Sequence, residues 1–130
     1  RALLSRWYSI WDEQMSDDVE FAEDPAERIW ALFKGVIGRA TRGQTVALRM
    51  LSHTDPDLAG RIDDRDNKRL SFLMTQLKKI GFSTEEARVR GQAYQAIMTG
   101  EYLRSGGMPI DERILRAREY HLMLSALKTD

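Results

Sequence analysis

A chain of 130 residues with 42% apolar and 31% charged side chains can bury one hydrophobic core and is too apolar to be disordered. Its 20 acidic and 20 basic residues cancel, so net charge does not advertise nucleic acid, and no apolar run approaches the ~20 residues of a membrane-spanning helix. The lack of cysteine excludes a disulfide framework and a thiolate metal site, and suits a reducing cytoplasm.

Helical spacing is already running at the first residue, Arg1. Leu3, Leu4, Trp7, Ile10, Trp11 and Met15 share a stripe and predict a helix over residues 2–15. A chain that starts inside a helix is expected to be a fragment or a processed product, and no signal peptide is visible. Asp12, Glu13, Asp17, Asp18, Glu20, Glu23, Asp24 and Glu27 then form an acidic stretch, read as a solvated loop. Asp24, Pro25 and Glu27 make a capped start for the next helix. Its stripe is Ile29, Leu32, Phe33, Val36 and Ile37, at the i, i+3, i+4, i+7, i+8 positions.

A short helix over residues 45–52 centres on Val46, Ala47, Leu48, Met50 and Leu51. Asp55-Pro56 repeats the cap-plus-proline signal and opens a helix to Ile80, roughly 37 Å at 1.5 Å per residue. Its centre, residues 61–69, is densely charged and is expected to kink or cross solvent. Gly81 suits a left-handed helix end, with Phe82 folding back on Leu77. Ser83 and Glu86 form a capping box that starts a helix over Thr84–Leu103. After the loop Ser105-Gly106-Gly107-Met108-Pro109, Asp111 is expected to cap a last helix over residues 112–127. No strand pattern and no internal repeat is present. The fold class is therefore all-α, a single domain of about six helices, with residues 1–80 building one part and residues 84–127 the other.

The last two helices carry more apolar surface than one core needs. On the first of them, Ala87, Gly91, Tyr94, Met98 and Tyr102 form one face, and Ala93, Ala96, Ile97 and Gly100 a second. Only Arg88, Gln92, Gln95 and Thr99 are left for water. On the final helix, Ile114, Ala117, His121 and Leu124 form a stripe that Leu115 and Leu122 widen. The expectation is a homodimer in which these helices pair between copies as a four-helix bundle, with Ala93, Ala96, Ile97, Gly100, Ile114, Ala117, His121 and Leu124 at the interface. His121 would be a half-buried interface histidine there.

The order of these motifs resembles the core of TetR-family transcriptional regulators. The matching residues are Val46-Ala47-Leu48-Arg49-Met50-Leu51, Asp55-Pro56, Leu58, Ile62, Asp66, Arg69-Leu70, Phe72-Leu73, Gly81-Phe82-Ser83, Glu86-Ala87 and Arg90. The resemblance implies a ligand-responsive regulator, with a repressor as the expected form. It implies operator DNA contact through an N-terminal helix-turn-helix that should precede Arg1 and is absent from these residues. It also implies a pocket in the helices ahead of the dimer pair, whose occupation shifts the DNA-binding heads.

Large, soft side chains suggest what such a pocket would hold. Trp7, Trp11, Trp30 and Phe33 are the first candidates, joined by Met50, His53, Met74, Tyr94 and Met98. They fit a small hydrophobic or amphipathic effector. No histidine or carboxylate set has metal-ligand spacing, no serine sits in a nucleophile turn and no phosphate loop is present. No enzyme activity, cofactor or membrane partner is expected. A helical oligomerisation module without a small ligand is the alternative reading.

Overall fold

The computed structural model describes residues 22–40, 50–103 and 108–127. These residues are all-helical and contain four helices: α1 (Pro25–Ala40), α2 (Pro56–Ile80), α3 (Thr84–Leu103) and α4 (Ile110–Ser125). The helix expected over residues 2–15 and most of that over residues 45–52 lie outside the described residues. Met50 and Leu51 are in helical conformation and are followed by a turn, in which the Thr54 N–H donates to the Leu51 carbonyl at 3.0 Å.

Local sequence chemistry explains most helix ends. At α1 the Asp24 carboxylate accepts from the Glu27 N–H at 3.2 Å, satisfying one of the orphan donors of a first turn. At α2 the Asp55 side chain accepts from the Asp57 and Leu58 N–H groups at 3.1 and 3.3 Å. At α3 the Ser83 hydroxyl accepts from the Glu86 N–H at 3.2 Å. Gly81 ends α2 at φ 132°, a conformation that costs glycine little, and its N–H and that of Phe82 close on the Leu77 carbonyl.

α2 covers the 25 residues expected of it, and most of its charged centre is exposed to solvent as expected. Ile62 and Arg69 lie two turns apart on its inward face and are buried, while Asp63, Asp64 and Lys68 stay exposed. The last helix starts at Ile110, with Pro109 rather than Asp111 at the cap position. Asp111 and Glu112 instead sit in the first turn, where negative charge complements the helix dipole.

The core gathers the stripe of α1 (Ile29, Leu32, Phe33, Val36, Ile37) against Leu73 and Leu77 of α2, Ala87, Tyr94 and Met98 of α3, and Ala117 of α4. α1 and α3 each pack against all three other helices. α2 and α3 approach closely at Gly91, where an added Cβ would sit 2.9 Å from Leu70 Cδ1. The Arg90 guanidinium lies over the Phe82 ring at 4.2 Å and donates to the Leu124 carbonyl at 2.9 Å, tying α3 to the end of α4.

Candidate functional site

Four side chains from three helices meet inside this core. Phe33 of α1 meets Tyr94 of α3 edge to face, with ring centroids 5.2 Å apart. Trp30 of α1 stands 6.4 Å from Phe33 and 5.6 Å from the His121 ring of α4. The Tyr94 hydroxyl lies 2.8 Å from His121 Nδ1. At the surface end, the Arg118 guanidinium covers the Trp30 ring at 5.0 Å and reaches Glu27 at 3.5 Å.

Burial sets the charge states here. It pushes the Tyr94 phenol above its ordinary range, so the hydroxyl stays protonated and can donate. Burial also pulls His121 down from 6.5 to about 4, assisted by the Arg118 charge and opposed by Glu27. The direction of the Tyr94–His121 bond follows the imidazole tautomer, because the phenol also lies 3.3 Å from the His121 carbonyl and has one proton to donate. The Ser125 hydroxyl donates to the His121 carbonyl at 2.7 Å and holds the local turn of α4.

A cavity of about 300 Å³ lies beside this cluster, between α2 and α3. Asp66 and Arg69 of α2 form one wall. Gln92, Gln95, Ala96, Met98 and Thr99 of α3 form the other. The Gln95 amide donates to the Asp66 carbonyl at 2.6 Å and bridges the two helices. Met98 belongs to both regions, since it packs in the aromatic core and lines the cavity.

Of the pocket residues read from the sequence, Trp30, Phe33, Tyr94 and Met98 converge. Phe33 and Tyr94 are fully enclosed by packing, whereas Trp30 is half-buried and Met98 reaches the cavity. Met74 is half-buried against the core, and Met50 and His53 are exposed. Trp7 and Trp11 lie outside the described residues.

The interface residues divide differently. On α4, Ala117 and His121 are buried by the chain's own helices, and Ile114 and Leu124 pack against the core. Ala117 and His121 are thus covered within one chain, while Ile114 and Leu124 remain half-buried. On α3, Ile97 also packs against the core, Ala93 is half-buried, and Ala96 and Gly100 are exposed. The most exposed apolar residues of α4 are Leu115 (66% exposed), Met123 (64%) and Leu122 (54%).

The sequence reading missed the cavity walls. Gln92, Gln95 and Thr99 look like a strip left for water, and Asp66 and Arg69 look like part of a solvated charge run. The available signal was that these polar residues recur at one- and two-turn spacing on consecutive helices. Among the described residues there is no histidine or carboxylate cluster able to hold a metal ion and no helix long and apolar enough to cross a membrane.

No family model, no curated protein and no solved structure matches this chain.

Proposed function

We propose that the chain is the effector-binding and self-association domain of a ligand-responsive transcriptional regulator, a repressor of the kind its motif order resembles. In this reading the protein is cytoplasmic. Operator contact belongs to a helix-turn-helix outside these residues. The observation that carries the reading is Met98, which lines the cavity and packs into the aromatic core that anchors α4. A guest in the cavity would touch the side chain that transmits its presence toward α4. Two sites joined through one packed element are what a binding-coupled response needs.

Self-association fits the surface that remains. Val89, Ala96 and Gly100 on α3 and Leu115, Leu122 and Met123 on α4 are exposed. Small residues on α3 would let a partner helix approach closely, and the α4 leucines would supply apolar area. The two helices of each copy would then form a four-helix bundle about a two-fold axis, through faces other than the His121 stripe.

Labelling the methionine methyl groups and titrating the chain with medium-chain alcohols, amines and carboxylates tests the effector reading. A saturable shift of the Met98 signal is the expected result. Its absence for every compound at millimolar concentration would overturn the reading. The closed packing of Phe33 and Tyr94 favours the second reading, a helical oligomerisation module without a small ligand, and that outcome would leave it standing.

A further inference from the structure

We infer that the α2–α3 cavity takes a neutral amphipathic small molecule, bound with its polar end on the Thr99 hydroxyl and its alkyl chain across Ala96 and Met98. This deepens the effector-binding reading above and rests on it. The two charged residues of the lining, Asp66 and Arg69, already have partners within the chain, and the Gln95 amide is bonded to the Asp66 carbonyl. A charged guest would shed its water into a site whose own charges are engaged, and nothing there offsets that desolvation. More of the lining is apolar than polar, so an alkyl chain gains by leaving water for it. At about 300 Å³ the cavity stands at the small end of ligand pockets, which suits a short chain.

Burial along α3 sets the orientation. A guest with no polar group would cover the Thr99 hydroxyl and return no hydrogen bond to it. Thr99 is half-buried and follows Met98, which is 2% exposed, whereas Gln92 is exposed and two turns away. A hydrogen bond gains strength as water is excluded, so the polar end belongs on Thr99 rather than at Gln92. The hydroxyl both donates and accepts, so it serves an uncharged alcohol, amide or ketone. Ala96 lies one turn before Thr99, and its side chain stops at Cβ, which leaves a path for the alkyl chain. Met98 lies against that path, and its flexible thioether adapts to the shape of the chain.

Hexanol serves as the probe, with hexylamine and hexanoate, both ionised at neutral pH, as relatives of equal chain length, in calorimetric and methyl-shift titrations. The expected result is saturable hexanol binding, with each charged relative weaker by about tenfold or more. Thr99→Val keeps the shape and removes the hydroxyl, and should weaken hexanol about fivefold. Ala96→Leu, at an exposed position, fills the path of the chain and should abolish saturable binding, which keeps the test open if the Thr99 variant fails to fold. Equal or tighter binding of either charged relative, or unchanged hexanol affinity in a variant that folds, overturns the inference while leaving the effector reading intact. No binding of hexanol also overturns it, and no binding by any compound of the wider titration removes the effector reading as well.

Discussion

The Tyr94 hydroxyl and the His121 Nδ1 atom lie 2.8 Å apart in the closed core, joining α3 to α4 through two side chains that are each almost fully covered. His121 is 1% exposed and held neutral, with Arg118 and Glu27 as the charges that act on it. The histidine binds a proton below about 4 in the folded chain and near 6.5 when unfolded. Above 6.5 both states are neutral. Between those values only the unfolded state is protonated, so stability falls as pH falls, by up to about 1.4 kcal/mol per pH unit. Below about 4 both states are protonated and this contribution stops changing. Urea denaturation at pH 7, 6 and 5 should show the loss, and His121→Phe should flatten it. An unchanged slope in that variant would place the proton elsewhere.

The buried pair of Glu101 and Arg113 ties the end of α3 to the start of α4. Arg113 Nε donates to the Glu101 carboxylate at 2.7 Å and Nη2 donates to the Glu101 carbonyl at 3.1 Å. Their side chains are 10% and 6% exposed. Arg113→Met should cost roughly 3–5 kcal/mol, because it removes the neutralising cation from a carboxylate held away from water. The double variant Glu101→Leu with Arg113→Met should recover most of that loss in thermal unfolding. A single variant as stable as the parent would show that the pair is hydrated in solution.

Gln76 offers a gain. Its side chain lies on the inward face of α2 beside Leu73 and Leu77, and its carboxamide oxygen is buried with no hydrogen-bond partner among the described residues. Gln76→Met keeps the length and removes the unsatisfied acceptor. Stability should rise by about 1 kcal/mol, within the 1–3 kcal/mol cost of an orphaned polar group. Equilibrium urea unfolding measures it, and a loss of stability would mean that this oxygen is satisfied by water or by another part of the chain.

Leu122 tests self-association apart from folding. It is more than half exposed on α4, opposite the stripe that faces the core. Leu122→Glu should leave thermal stability of the monomer within about 0.5 kcal/mol, as surface substitutions do. Light scattering at micromolar concentration should show a dimer for the parent and a monomer for the variant. A parent that is already monomeric removes the proposed bundle.

Much of the fold was legible from local chemistry. Asp55-Pro56, Gly81 and Ser83 set the ends of α2 and α3, because caps and left-handed glycines act within a few residues. The α1 stripe was equally legible, since all five of its residues are buried. Asp111 was less informative, because an acid near a helix start serves as a cap or as a first-turn charge with similar ease.

What periodicity could not settle was which of two apolar stripes each helix turns inward. α4 carries both Ala117–His121 and Leu115–Leu122, and either could meet the core. The choice depends on how α1 and α3 fill the space beside it, through Trp30, Phe33 and Tyr94. The same holds for Arg69, which reads as one charge in a solvated run and ends buried on a cavity wall. Sequence alone determined that the described chain is helical and where most of those helices begin and end, because those are short-range hydrogen-bonding problems. Tertiary packing decided which polar residues share a cavity and which leucines are left for solvent or a partner, because burial is a property of neighbours distant in sequence.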